Sequence, residues 1–295
     1  RKFMQGYYDL AGVSSEQFSK VMDLSTAETR LSGEMADKGI RLNVAVYASV
    51  YNYFGFNMED PTVGGLDEHK CRLRQALSIA LNREEFIEIF LNGRGLPGMS
   101  PIPPGIFGYE EGKNGINPVT HIWDEQTKSA VRRPIEDAKQ LLAEAGYPEG
   151  INSKTGKPLV LYFDTVGNNA DFFNWIKKQF KRINVNIEIR TTDYNRFREK
   201  VNTGNYQILS WGWNADYPDP ENFLFLLYGP NGKIKFHGEN AVNYSNPEFD
   251  RLFEEMKNME NSPERFKIVK KMIAILRHDA PWEFGYYPKG YTLSH

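Results

Sequence analysis

The order of patterns along the chain predicts an α/β fold, a largely parallel sheet flanked by helices. Three observations carry that expectation. Segments 158–165, 185–190 and 206–211 are apolar or alternating runs of strand length. Helical patterns separate them, with Phe173, Ile176 and Phe180 forming one stripe and Tyr194, Phe197 and Val201 the next. A β-α-β-α-β order closes through right-handed crossovers and so gives parallel neighbours.

The other elements follow in chain order. Ser14 to Gln17 read as a helix start, with Phe18, Val21 and Met22 on one face. Segment 41–47 alternates as a strand does, and 51–57 is a second, aromatic extended segment. Asp60-Pro61 and Gly64-Gly65 then break the chain. Leu73, Ala76, Leu77 and Ala80 recur at helical spacing over 68–81. Asn82 is placed to cap the next helix, with Glu85 able to reach back, Phe86, Ile87 and Phe90 inward, and Gly93 as its stop. Segment 93–133 holds Pro97, Pro101, Pro103 and Pro104, which forbid helix; it reads as a long surface-hugging stretch. Pro134 suits the first position of a helix carrying Ile135, Ala138, Leu141, Leu142 and Ala145, closed by Gly146. Near the end, Asn246-Pro247 and Ser262-Pro263 each pair a cap with an N1 proline, Ala280-Pro281 stops the last helix, and 282–287 reads as a strand.

Composition narrows the function. The chain has 295 residues, 40% apolar and 25% charged, enough for one or two domains with a large core. A net charge of −2 gives no basic field for nucleic acid. One cysteine, Cys71, rules out an internal disulfide framework. No run of 18 apolar residues occurs. His69, His121, His237, His278 and His295 are never three or four apart, and there is no HExxH or CxxC, so no metal is expected. No strand is followed by GxGxxG or GxxxxGK[ST], and no GxSxG elbow exists; neither a cofactor nor a catalytic residue is assigned. Lys177, Lys178, Lys181 and Arg182 read as the solvated face of an amphipathic helix.

The most informative stretch is Trp213-Asn214-Ala215-Asp216-Tyr217-Pro218-Asp219-Pro220, placed just beyond a strand. In sheets of this kind ligands bind beyond the carboxyl ends of strands. The rings of Trp211, Trp213 and Tyr217 with the carboxylate of Asp216 suit a positively charged ligand. A plainer alternative is a Pro-rich turn whose rings fill local core. A second alternative takes Asp216 and Asp219 as the carboxylate pair of a hydrolase acting on glycans or peptides.

Four segments in register carry a family resemblance. They are Trp211 through Leu224; Phe56-Asn57 followed by Arg72 through Glu84; Gly93 through Ser100-Pro101-Ile102-Pro103-Pro104-Gly105; and Asn243 to Asp250 with Arg265 and Ala280-Pro281-Trp282. Together they resemble the peptide-type (family 5) extracellular solute-binding proteins of ABC importers, the oligopeptide and dipeptide binding group. The resemblance implies a periplasmic-binding-protein-like fold of type II, with two lobes that close over a solute and present it to a membrane permease. It implies a periplasmic or extracellular protein, in some members a membrane-tethered lipoprotein. Residues 1–57 and 288–295 become pieces of lobe one and 58–287 lobe two, with a further N-terminal portion of the same protein as a partner. In peptide-binding relatives the motif's Asp meets the ligand's α-ammonium group, which maps onto Asp216. The backbone of Trp213, Asn214 and Ala215 then runs along the peptide as an added strand, and Trp213 and Tyr217 wall the pocket. Trp211, Tyr53 and Asn57 complete the candidates, with Tyr53–Asn57 doubling as a hinge. Neither Val201-Asn202-Thr203 nor 165–169 holds an Arg or His for the ligand's carboxylate, and Ser210 stands where an Arg can occur. The solute is therefore a peptide or another amine-bearing molecule.

Overall fold

The computed structural model describes residues 2–23, 25 and 30–295. A nine-stranded mixed sheet forms its frame. The strands run across it in the order Leu10–Gly12, Tyr286–Ser294, Ser49–Phe56, Ile208–Asn214, Val160–Val166, Asn186–Thr192. Trp282–Glu283 also pairs with Ser49–Phe56, while Arg41–Val46 and Gly95–Pro97 pair with Tyr286–Ser294.

Val160–Val166 runs parallel to both Asn186–Thr192 and Ile208–Asn214, as the crossover series demands. The expectation of a largely parallel sheet fails one strand further on. Ser49–Phe56 pairs antiparallel with Ile208–Asn214. It enters from outside the β-α-β series, so no crossover fixes its direction, and the pairings beyond it are antiparallel too.

Side chains cap the longer helices other than Ile135–Glu144 and satisfy N–H groups left over at their starts. Asn82 Oδ1 accepts from Glu85 N at 3.0 Å at the head of Arg83–Leu91. Asn169, Asp193, Asn246 and Ser262 do the same for Ala170–Lys181, Tyr194–Thr203, Pro247–Met256 and Pro263–Asp279. Each cap contributes about 1 kcal/mol. Pro134 lies just outside its helix at ψ 154°, and Ile135–Glu144 begins one residue later than expected.

Two cores sandwich the sheet. On one face Leu73, Leu77, Phe86, Ile176 and Phe180 pack on Phe54, Phe56 and Phe163, with Phe54 stacked on Phe163 at 4.7 Å. On the other, Phe197, Val201, Leu209, Phe223, Leu227 and Val269 meet Tyr53 and Trp282, whose rings stack at 3.8 Å. A smaller cluster of Phe3, Val13, Phe18, Tyr291 and Leu293 joins the two chain ends. A fully buried side chain of this size contributes about 1.5–3 kcal/mol, so these clusters set the rigidity of the strands between them.

Segment 93–133 does not hug the surface. Gly95–Pro97 joins the sheet, and His121–Asp124 pairs with Ser129–Arg132 as a hairpin. Ser100, Ile102 and Ile106 are buried, and Tyr287 OH donates to Ser100 O at 2.7 Å. The prolines keep helix out of 97–104, but one helical turn, Gly112–Gly115, forms beyond them against the expectation, and the strands are too short to show a period. Strand 282–287 is likewise split: Gly285, at φ +63°, turns the chain between Trp282–Glu283 and Tyr286–Ser294.

Candidate solute-binding site

The strand at the motif is longer and later than the sequence suggests. It spans Ile208–Asn214, so Trp213 and Asn214 are strand residues and Tyr206-Gln207 precede it. Trp211 pairs with Tyr53, Trp213 with Val50 and Asn214 with Ser49. The register shifts between Trp211 and Trp213, where Tyr51 and Asn52 stand opposite the single residue Gly212. Asn52 absorbs this bulge at φ 52°. Gly212 is required there, because a Cβ would lie 3.0 Å from Tyr51 Cδ1 and 3.1 Å from Val50 O.

The other side of the strand is open. Its parallel neighbour Val160–Val166 pairs with Ile208 and Leu209 alone. Among the described residues, the stretch from Ser210 to Asn214 therefore has a strand partner only on the Ser49–Phe56 side. An unpaired edge of this kind accepts an extended backbone.

Alternation along the strand puts Trp211 and Trp213 on one face. Trp211 packs against Phe197 at 5.4 Å, and Trp213 meets Phe225 edge-on at 5.4 Å. Both indoles are half-buried, with ring surface still open. Asn214 lies on the opposite face, where its Oδ1 accepts from Ser49 Oγ at 2.8 Å and Tyr51 OH at 2.6 Å. Ala215 N donates to Ala48 O at 2.9 Å and carries the ladder one residue past the strand.

Asp216 is exposed and has no ion-pair partner among the described residues. Its backbone N–H donates to Asn222 Oδ1 at 2.8 Å, and Asn222 Nδ2 donates to its Oδ2 at 3.4 Å. The same Asn222 Oδ1 accepts from Trp213 Nε1 at 3.2 Å. Asn222, 2% exposed, thus sets the indole and the carboxylate relative to each other. It stands inside the motif, and a buried side-chain amide that ties two loop residues together leaves no periodic trace in sequence.

Tyr217 is 46% exposed, and its OH donates to Glu221 Oε2. Partial burial, then the hydrogen bond to Glu221, push its phenol up to about 12. Asp219 is committed elsewhere. Arg265 Nη1 and Nη2 grip its two oxygens at 2.7 Å each, and Arg265 is 2% exposed. Burial alone would raise the Asp219 carboxyl, but the hydrogen bonds from Arg265 and Glu221 N and the guanidinium charge outweigh it and hold the group below its usual range. A carboxylate clamped this way cannot be the raised-pKa acid of a glycosidase pair, so the hydrolase alternative loses one of its two groups.

Tyr53 and Asn57 do not join the others. Tyr53 is 3% exposed and stacked in the core. Asn57 is 3% exposed and donates to Gly204 O at 3.1 Å and Tyr206 O at 2.9 Å, tying the entry of the motif strand to the sheet. The hinge expected at Tyr53–Asn57 falls on the buried second half of a central strand and the residue after it, where ladders on both sides fix the strand's φ and ψ. The chain crossing expected here made these residues candidates; their burial comes from neighbours distant in sequence.

A mixed sheet between two helical layers, with an aromatic and acidic mouth at the end of a central strand, defines a periplasmic-binding-protein-like fold of type II. The chain belongs to the bacterial extracellular solute-binding proteins, family 5, whose model matches residues 3–235. It is 29% identical over 288 residues to heme-binding protein A of Haemophilus influenzae, covering 94% of this chain and 47% of that protein. It is 26% identical over 283 residues to the oligopeptide-binding protein OppA of Bacillus subtilis, covering 95% and 46%. Among solved structures, the unliganded open form of the murein tripeptide binding protein MppA matches with a TM-score of 0.75 at 19% identity, over 99% of this chain and 50% of that one. The Helicobacter pylori protein DppA, in complex with a peptide, matches with a TM-score of 0.72 at 19% identity, over 99% and 49%. The chain spans about half the length of these relatives. Among the described residues no helix is long and apolar enough to cross a membrane.

Proposed function

We propose that this chain captures a peptide or another amine-bearing solute for an ABC importer and delivers it to the membrane permease, as a binding component and not an enzyme. One observation carries the reading: Asp216 is a carboxylate with no cation partner among the described residues, fixed by Asn222 beside the half-buried indole of Trp213 at the end of a strand with a free edge. Water leaves when a solute docks, and the attraction between Asp216 and an ammonium group strengthens as the local dielectric falls. The free edge from Ser210 to Asn214, continued through Ala215, supplies backbone groups for an extended ligand. Trp211, Trp213 and Tyr217 supply ring faces.

In this reading residues 58–287 form lobe two, which also takes in the strand Ser49–Phe56, expected from the sequence in lobe one, and the rest of 1–57 with 288–295 belongs to lobe one. The separate cluster around Phe18 and Tyr291 supports that division. Exposed Tyr7, Tyr8, Leu10, Val44 and Tyr47 support a further N-terminal portion of the same protein as the covering partner. The place of work is the periplasm or the outer side of the cell membrane, with or without a lipid tether. The relatives named for heme, oligopeptides and a murein tripeptide leave the solute class to the chemistry of the mouth.

The test is calorimetry with free and N-acetylated forms of the peptides that bind. Asp216→Asn weakens the free-amine form by about 1.5–3 kcal/mol, the value of a charge-assisted hydrogen bond, and leaves the acetylated form unchanged. Equal loss for both forms, or no loss, removes Asp216 from ammonium recognition.

A further inference from the structure

We propose that Cys71, His278 and Asp279, with Glu68 behind the imidazole, form a binding site for a thiophilic divalent cation such as Zn2+. The Cys71 thiol, a ring nitrogen of His278 and a carboxylate oxygen of Asp279 all lie within 4.8 Å of one another. Glu68 Oε2 stands 3.5 Å from His278 Nε2, while Asp279 Oδ1 faces Nδ1, so Glu68 orients the ring as an outer partner and water completes the coordination. Thiolate, imidazole and carboxylate are the donors Zn2+ takes in four-coordinate protein sites.

Two helices deliver the set. Glu68 and Cys71 are three apart on Glu68–Ala80 and so share a face. His278 and Asp279 are the last two residues of Pro263–Asp279, where the helix C-terminus favours a cation. Side chains of the first helix fix the backbone of the second. Gln75 Nε2 donates to His278 O at 2.6 Å, and Arg74 Nε and Nη2 donate to Asp279 O at 2.8 and 2.6 Å. Tyr244 OH and Asn246 Nδ2 hold Asp279 Oδ2 at 2.6 and 2.8 Å, which leaves Oδ1 facing the His278 ring. Outer partners of this kind are what orient metal ligands. Cys71 is fully buried, while the His278 side chain is 57% exposed. His278 is therefore the movable wall: it admits the ion and contracts the donor set onto it.

The charges balance with a divalent ion in place. Thiolate, Glu68 and Asp279 give three negative charges. Arg74, whose Nη2 is 3.5 Å from Cys71 Sγ, gives one positive charge, and the ion supplies the other two. Arg72 also touches Glu68, but Glu144 offsets it at 3.0 Å. Without the ion, burial pushes the thiol up to about 11, and Cys71 is a neutral thiol. Coordination replaces the thiol proton by the metal, and the proton passes to water.

The reduced full chain, freed of metal, is titrated with Cd2+ while its ultraviolet spectrum is recorded. A thiolate-to-cadmium charge-transfer band saturating at one ion per chain is expected, and prior Zn2+ blocks it. Cys71→Ser abolishes the band. His278→Gln, at an exposed position that leaves the fold intact, weakens Cd2+ binding at least tenfold. Absence of the band, a band insensitive to His278→Gln, or maleimide labelling of Cys71 that Zn2+ does not slow would each overturn the site. These readouts are independent of the solute mouth and hold whether or not Asp216 binds an amine.

Discussion

Asp216 and Asp219 are three residues apart in one turn, and the fold has given them opposite work. Asp219 is gripped at both oxygens by Arg265, and its carboxyl is held below the usual range. Asp216 is hydrogen-bonded by the Asn222 side chain and is exposed, with no ion-pair partner among the described residues. Charge type does not separate them; the arriving partner does. Arg265 comes from the first turn of Pro263–Asp279 and reaches Asp219 from beneath, so the turn is anchored through Asp219 and free at Asp216. An anchored carboxylate beside a free one is how a loop holds a binding group still without neutralising it.

The largest effect that sharpens this contrast is on the anchor. Arg265→Ala leaves Asp219 partly buried and uncompensated, and about 3 kcal/mol of stability goes, the low end for breaking a buried pair because the Asp219 side chain is 30% exposed. Urea unfolding measures it. A loss below about 1 kcal/mol, the range of exposed pairs, would make the anchor a surface contact.

Asn222→Ala comes next. It removes the shared acceptor of Trp213 Nε1–H and Asp216 N–H at a position 2% exposed. About 1–3 kcal/mol of stability is lost, and amine affinity falls with it, because the indole and the carboxylate lose their common tether. Stability loss with full affinity would show that the mouth does not depend on this tether.

A smaller effect lies in acid. The folded pKa of Asp219 is depressed, so its contribution is present above the unfolded value of about 3.9 and is lost as pH falls through the folded value. Asp219→Asn therefore flattens stability against pH below about pH 4. An acid limb in Asp219→Asn identical to that of the unsubstituted protein would show that Arg265 does not hold the Asp219 carboxyl down.

Much of this was legible in the sequence, and the exceptions share one cause. Helices announced themselves through caps and 3.6-residue spacing, as at Asn82, Asn246-Pro247 and Ser262-Pro263. The three parallel strands followed from the crossover rule. The direction of Ser49–Phe56, the 121–132 hairpin and the burial of Tyr53 and Asn57 depended on partners about 150 to 230 residues away or on strands too short to carry a period. Within the motif, residue types pointed to Asp216 and the rings. Which of two aspartates was free rested on Arg265, 46 positions beyond Asp219, and no local rule reaches that far.

The smallest expected change is also the most discriminating. Asp216→Asn keeps size and shape, and the new amide oxygen still accepts from Asn222 Nδ2. Among the described residues the exposed carboxylate has no cation to lose. Its removal should move the unfolding free energy by no more than about 0.5 kcal/mol, as for surface positions away from special features. A residue built into the turn would behave otherwise, and a cost of about 1.5 kcal/mol or more would mean that Asp216 stabilises a backbone N–H network of its own. Near-neutral stability with a clear loss of amine affinity separates a binding carboxylate from a structural one, and Asp219 in the same turn supplies the internal control.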